Sequence, residues 1–459
     1  QVNSVKWHPE YVGKRMLGWL DSMGNWMISR KRFYGLALPF YECSNCNHLH
    51  VVGSLEELKE LAVRPELVDK LQDIHRPWID EIEIKCPKCG KNVKRVPDVG
   101  DCWLDAGVVP FSTLKYLEDR KYWEKWYPAD FITEMIEQVR LWFYSMLVFG
   151  TVLEKRVPYK EVMCFAELRD EKNERMSKTK PNYVKFDDAA NKVGSDILRW
   201  NYASASIGAN MRFGWQTLED VRRRFYIQLW NTYNYFVTYA QLNNWNYEDF
   251  DLEKVTNLMD RWLVSETKKL VVNVTKSLDS FNIATASRDI EEYCKDLSQW
   301  YIRRSRTRFK EGDVNALGTL HYSLMTLSKL LAPFVPYISE VIYQNIVVNL
   351  GIDSKESVHL TDFPIANEQE IDEKILEEME LVRKITSNGM KIRERAKLNL
   401  RRPLCRAFVN VNDSELSQII KDELNVKEII FSDKQDSGEN IFSEGEKENL
   451  ITIDCNLTS

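Results

Sequence analysis

Four of the nine cysteines form two C-x-x-C pairs, Cys43 and Cys46 in YECSNCNHLH and Cys86 and Cys89 in IKCPKCGK. Such a turn brings two thiolates to one side of a metal, and two turns make the tetrahedral four-thiolate set that zinc prefers. Gly90 supplies the tight turn after the second pair. A complete set has no open coordination position, so zinc here would be structural, and His48 and His50 would be left without a vacancy to fill. A redox dithiol and coincidentally spaced buried thiols are the competing readings. Three further segments carry chemistry-bearing side chains. DCWLDAG, 101–107, places Asp101 and Asp105 around Trp103. FITEMIEQVRLWFY, 131–144, repeats Glu134, Glu137, Gln138 and Trp142 at helical spacing, which an amphipathic helix with its acids in solvent would also produce. ERMSKTKPN, 174–182, is a cationic loop between a predicted strand and a predicted helix. A lysine loop at the C-terminal end of a parallel sheet is where a nucleotide's phosphates are expected.

The elements that must hold these residues follow from pattern. With 459 residues, 44% hydrophobic and 29% charged, the chain is long enough for several domains of an ordinary globular protein. Its 18 Gly and 14 Pro, without a low-complexity tract, exclude a collagenous or mostly disordered chain. No apolar run reaches the ~18 residues of a bilayer span, and no signal pattern opens the chain, so a cytoplasmic protein with no membrane partner is expected. Residues 1–35 read as a return segment into a domain, and 36–100 as a zinc-stapled insertion with short strands and one charged helix. Residues 101–215 alternate short apolar runs with helical patterns, as βα units around a parallel sheet do. There, VMCFA (162–166) is a candidate strand, DEKN (170–173) a turn, and a helix starts near Phe186. From 216 to 365 the stripes are helical, among them Leu320, Leu324, Leu327 and Leu331, and predict a bundle whose run is broken and restarted at Pro333 and Pro336. A helix from Ile371 to about Arg395 and strand-like pieces (RAFVNV, KEIIF, NLITID) predict a small α/β domain over 366–459.

The net charge of −6 argues against a chain coated in positive charge. Locally the sign reverses: RRSRTRFK at 303–310, three arginines at 222–224, and five Arg and three Lys against one Glu over 383–402. Such segregation suits either a polyanion-binding face or solvated helix faces.

Arg175-Met176-Ser177-Lys178-Thr179 resembles the K-M-S-K-S signature of class I aminoacyl-tRNA synthetases. WMISRKRFYG, DCWLDAG, HRPWIDE (75–81), the C-x-x-C pairs, WYIRRSRTRF (300–309) and AKLNLRRPL (396–404) are similar, in order, to segments of isoleucyl-tRNA synthetases. The resemblance implies an α/β plus all-α architecture: half of a Rossmann-type catalytic domain with a zinc insertion, a helical anticodon-binding domain, and a small C-terminal domain. It also implies ATP-dependent attachment of isoleucine to tRNA, with ATP and Mg²⁺ as substrate and structural Zn²⁺.

By the same resemblance, Lys178, Arg175 and Ser177 act in catalysis, and together with Met176 they bind ATP. Glu134, Glu137, Gln138, Trp142 and Trp103 form the amino-acid pocket, while Trp300, Arg303, Arg304, Arg306, Arg308, Arg401 and Arg402 contact tRNA. Met135 and Leu141 stand where the family has glycines, and Glu137 where it has Asp, which would shrink the pocket. The family's H-x-G-H element is absent, since none of the six histidines, His8, His48, His50, His75, His321 and His359, forms it. The chain is therefore expected to be a C-terminal part, inactive alone and working with an N-terminal half. A freestanding tRNA-binding paralogue and valyl specificity are the alternatives.

Overall fold

In chain order the first elements are β1 (Lys6–His8), α1 (Tyr11–Ser22) and β2 (Ser29–Arg30). The computed structural model describes residues 1–432, 441–446 and 449–457. It divides into two units, 1–168 with 207–211 and 169–206 with 212–459. The first unit continues with two hairpins, β3 (Phe40–Glu42) with β4 (Leu49–Val51), and β5 (Glu83–Lys85) with β6 (Asn92–Lys94), separated by α2 (Leu55–Leu61). Helix α2 is capped at its start: Ser54 accepts from the Glu57 amide, and Glu57 reaches back to accept from the Gly53 amide at 2.7 Å. β7 (Val99–Gly100) then returns antiparallel to β2, followed by α3 (Cys102–Gly107), β8 (Ile132–Met135), α4 (Trp142–Phe149) and β9 (Glu161–Phe165).

β1, β9 and β8 form a parallel sheet in that order. Trp7, Val12, Met16, Phe143, Tyr159 and Val162 bury its core. Residues 1–35 are therefore more than a return segment, because they contribute a strand of the sheet and the helix that covers it.

The expected helix over 131–144 does not form. Ile132 and Glu134 pair with Val162 and Cys164 of β9, a 3-10 turn (Ile136–Arg140) follows, and only from Trp142 is the backbone helical. Ladder pairing of this half-buried edge strand with β9 overrides the 3.6-residue spacing.

The second unit holds α5 (Phe186–Val193) and α6 (Ser195–Ala203), separated by Gly194 at φ +89°, then α7 (Trp215–Val221), α8 (Ile227–Leu242), α9 (Leu258–Asp279), α10 (Ile283–Asp296), α11 (Val314–Leu331) and α12 (Pro336–Tyr343). Pro336 opens α12, where its missing N–H is harmless, as the sequence predicts. The long α13 (Glu373–Arg395) leads to β10 (Leu404–Val409), α14 (Ser414–Leu424), β11 (Val426–Phe431), β12 (Ile441–Glu444) and β13 (Ile451–Leu457). Their sheet order is β11-β10-β13-β12, with β10 and β11 parallel and the other pairs antiparallel.

The unit boundary divides the expected 101–215 domain at 168/169. Helix α6 belongs with the bundle for physical reasons. Trp200 stacks on Phe225 at 3.7 Å and donates to Glu291 at 2.7 Å. Asp196 accepts the Ile338 amide at 2.8 Å, and Arg199 donates to the Phe334 carbonyl at 2.8 Å.

Candidate functional site

In the first unit the WMISR and DCWLDAG segments form one local structure. Asp101 is buried and accepts from Trp26 Nε1 at 2.9 Å and from the Arg30 guanidinium at 2.8 Å. Its other oxygen faces the Trp103 amide at 3.4 Å and opens α3. Asp101 thus organises the strand pair and the helix, whereas Asp105 is exposed.

Helix α3 packs on α4 through Gly107, where a Cβ would lie 2.8 Å from Ser145 Cβ. That contact lets Trp142 Nε1 donate to the Ala106 carbonyl at 3.1 Å, while Gln138 Oε1 accepts the Trp142 amide at 3.0 Å. Trp103 and Trp142 are both half-buried. Glu134, near the end of β8, accepts its neighbour's amide at 2.8 Å. Glu137 lies in the turn after β8, and its Oε2 is buried without a hydrogen-bond partner. Burial pushes the Cys164 thiol on β9 up to about 12, with Arg15 opposing and Glu137 adding to the shift. Glu134, Glu137 and Gln138 therefore lie at the carboxyl end of β8, the usual ligand side of a parallel sheet.

In the second unit the lysine loop is pinned at its base. Asp170 accepts from the Lys172 and Glu174 amides at 3.0 and 2.7 Å and from Asn182 Nδ2 at 2.8 Å. Asn182 Nδ2 also donates to the Arg175 carbonyl at 3.3 Å. The hydrogen bond from Asn182 and the two amides hold the Asp170 carboxyl below the usual carboxylate range. Between these anchors Ser177 and Thr179 share a hydroxyl bond of 2.9 Å, and Arg175 and Lys178 are exposed. The Asp170–Asn182 clamp was not anticipated; its only sequence signal is a turn-forming Asp and Asn on either side of the loop.

The four cysteines converge. Their sulfurs all lie within 4.8 Å of one another, with Cys43–Cys89 at 3.6 Å and Cys46–Cys86 at 3.7 Å. Zn–S bonds of about 2.3 Å in a tetrahedron put sulfurs about 3.8 Å apart, so the set fits zinc. The two turns match: the Asn47 amide donates to the Cys43 carbonyl and the Gly90 amide to the Cys86 carbonyl, each at 2.8 Å, with positive φ at Asn47 and Gly90. The Lys91 amide is the main cause that holds the Cys89 thiol down to about 6. His50 is committed to Glu57 at 3.0 Å.

Much of the expected cationic face of the bundle is ion-paired. Arg303 grips Glu423 at 2.7 and 2.6 Å, and Arg304 binds Glu423 at 2.8 Å and Asp422 at 3.2 Å. Arg308 forms a bidentate pair with Asp260 at 2.7 and 2.6 Å and reaches Asp313 at 2.8 Å. Asp260 is fully buried and also accepts from Tyr301 at 2.8 Å. Trp300 lies against the guanidiniums of Arg383, at 5.3 Å, and Arg303, at 5.9 Å. These side chains hold helices together, because carboxylates distant in sequence reach them first. The arginines at 222–224 are likewise paired, Arg222 and Arg223 with Glu219 and Arg224 with Glu291. Arg306, Arg401 and Arg402 are exposed and have no ion pair among the described residues.

Residues 1–214 match the family model for tRNA synthetases class I (I, L, M and V), and residues 260–409 match that for the anticodon-binding domain of tRNA ligase. The isoleucine–tRNA ligase of Dehalococcoides mccartyi is 38% identical over 92% of this chain and 43% of its own length. Those of Methanopyrus kandleri and Thermus thermophilus are 39% and 36% identical, each over 93% of this chain and 42% of their own length. The chain thus spans less than half the length of these curated relatives.

In fold it is similar, at a TM-score of 0.54 and 21% identity, to a ternary complex of an Agrobacterium radiobacter LeuRS with tRNA and LeuAMS, covering 76% of this chain and 43% of that one. It is also similar, at 0.53 and 14%, to Mycobacterium tuberculosis methionyl-tRNA synthetase in complex with methionyl-adenylate, covering 77% and 62%. No helix among the described residues is long and apolar enough to cross a membrane. The two matched domain models, over residues 1–214 and 260–409, lead to one conclusion: the chain belongs to the class I aminoacyl-tRNA synthetases.

Proposed function

We propose that this chain is the C-terminal part of an isoleucine–tRNA ligase, working with an N-terminal half that supplies the H-x-G-H element, in the cytoplasm. The observation that carries this is the 36–39% identity to isoleucine–tRNA ligases over 92–94% of the chain. In the reaction the isoleucine carboxylate attacks the α-phosphorus of Mg²⁺-bound ATP and pyrophosphate leaves. A ribose hydroxyl of tRNA then attacks the adenylate carbonyl and AMP leaves. This chemistry depends on positioning and on positive charge at the leaving oxygens.

Lys178 and Arg175 supply that charge from a loop that Ser177 and Met176 shape. Glu134, Glu137 and Gln138 hold the polar end of the amino acid, with Trp142 and Trp103 walling its side chain. The unsatisfied Glu137 Oε2 is available for the substrate ammonium. Cys43, Cys46, Cys86 and Cys89 would hold Zn²⁺, which cross-links the two hairpins. tRNA is bound through Arg306, Arg401 and Arg402, with Trp300 and Arg303, Arg304 and Arg308 shaping the bundle that presents them.

The test is ATP–pyrophosphate exchange. The isolated chain should show none, and the chain fused behind the N-terminal portion of the Dehalococcoides mccartyi relative should show isoleucine-dependent exchange, lowered about 100-fold or more by Lys178→Ala. Exchange by the isolated chain overturns the C-terminal assignment, and a preference for valine moves the specificity to valyl. A silent fusion that still binds tRNA points to a tRNA-binding paralogue.

A further inference from the structure

Arg393, in the last turn of α13, is buried at 2% exposure, and no carboxylate pairs with it among the described residues. Its guanidinium donates to three main-chain carbonyls: Leu424 at 3.1 Å, Asn399 at 2.7 Å and Arg402 at 2.5 Å. From the other side Asn425, at φ +47°, donates its Nδ2 to the Leu400 carbonyl at 2.8 Å. Asn399 Oδ1 accepts the Arg401 amide at 3.0 Å and closes the turn. Three consecutive-turn carbonyls, at 399, 400 and 402, are thus drawn inward, which leaves the outer face of the loop to the exposed side chains of Lys397, Arg401 and Arg402.

Charge around this loop is mostly positive, with the exposed Glu394 the one acid over 383–402. The acids at the end of α14, Asp422 and Glu423, are already taken by Arg304 and Arg303, and Arg395 is taken up by Glu444. Lys397, Arg401, Arg402 and the buried Arg393 have no carboxylate partner among the described residues. A buried guanidinium balanced only by carbonyl dipoles, beneath three exposed cations, is an unfavourable arrangement in isolation and a favourable one when an anion arrives from outside. The loop also falls inside the stretch that matches the anticodon-binding model, 260–409.

We propose that loop 397–402 is a preorganised contact for the sugar-phosphate backbone of tRNA, and that Arg393 is its positioning residue. This rests on the tRNA reading of the chain and deepens it. It moves the main phosphate contact from the 303–308 run, whose charge is internally neutralised, to a loop whose charge is not. Rigidity matters because fixed cations lose little freedom when they meet phosphates. Arg393 acts from below, through Arg401 and Arg402, and touches no RNA itself.

The experiment measures binding of an isoleucine-accepting tRNA transcript to the whole chain from 0.05 to 0.3 M salt. The Arg401→Ala/Arg402→Ala double variant should weaken binding about tenfold at 0.15 M and flatten the slope of log affinity against log salt by between about 1 and 2. Arg393→Met removes no surface charge, yet should flatten the slope by about 1 and speed hydrogen exchange at the loop amides. Asn425→Gly tolerates the same backbone conformation, so it keeps the fold while removing one clamp, and should show a smaller loss of the same kind even where Arg393→Met folds poorly. Unchanged affinity and slope in the double variant, with wild-type binding intact, overturn the inference and leave the tRNA reading standing. A double variant that weakens binding while Arg393→Met and Asn425→Gly do not removes the positioning role. A wild-type chain that binds no tRNA at 0.05 M salt removes both the inference and the tRNA reading beneath it.

Discussion

His321 sits on α11 at 0% exposure, ringed by Phe236, Trp245 and Tyr247. Its Nε2 donates to the Ile346 carbonyl at 2.7 Å, which fixes the tautomer and leaves Nδ1 without a partner. Burial pulls the imidazole down to about 4, opposed by the carbonyl, so the native state holds it neutral. In the unfolded chain it titrates near 6.5. Between those values the unfolded state binds more protons, so this contribution is complete above about pH 6.5 and is lost as pH falls toward 4, about 3 kcal/mol in all. His321→Gln keeps a donor for Ile346 and removes the titration. Urea melts of both proteins from pH 7 to 4 should converge in stability as pH falls. A constant gap between them would mean that the histidine is not held neutral. None of this was legible in the sequence, where His321 entered only as one histidine outside an H-x-G-H pattern.

At the scale of elements, the C-x-x-C hairpins were readable because each turn is set by a few consecutive residues, with Asn47 and Gly90 in equivalent places. Segment 131–144 was not readable, because its strand exists only by pairing with β9 some thirty residues later. The hairpins β3–β4 and β5–β6 have three residues per strand. Hairpins of this size are marginal alone, so the metal should supply much of their stability. Metal analysis should find one zinc per chain, and a strong chelator should expose amides in 40–51 and 83–94 to hydrogen exchange while those of α9 and α11 stay protected. Full protection of the hairpins after zinc removal would show that their small core around Leu58, Ile79 and Ile84 suffices. The lysine loop falls between these cases: its motif was visible, and the Asp170–Asn182 clamp beneath it was not.

Across the whole chain, the second unit is held together by ion pairs, some of them made by arginines that the family resemblance assigned to tRNA. Arg303 meets Glu423 across 120 residues of sequence, and Arg383 meets Asp296 across 87. Glu423 is nearly buried and serves two guanidiniums. Glu423→Ala should therefore loosen the packing of α14 against the bundle by about 2 kcal/mol, a value kept below that of a fully buried pair because Arg303 is 44% exposed. Denaturant melts and exchange at 414–431 check this. A gain in tRNA affinity with no loss of stability would instead restore Arg303 and Arg304 as phosphate contacts.

The amino-acid sequence by itself determined the chemistry that local chain geometry can build: the thiolate turns, the cationic loop of Arg175 and Lys178, the helical stripes of the bundle and the restart at Pro336. Only the tertiary structure decided which charges remain for a partner, because a guanidinium's ion pair depends on residues folded beside it from far along the chain. Thus Arg303, Arg304 and Arg308 turned inward to carboxylates, Arg393 turned inward to carbonyls, and Arg401 and Arg402 remained outside.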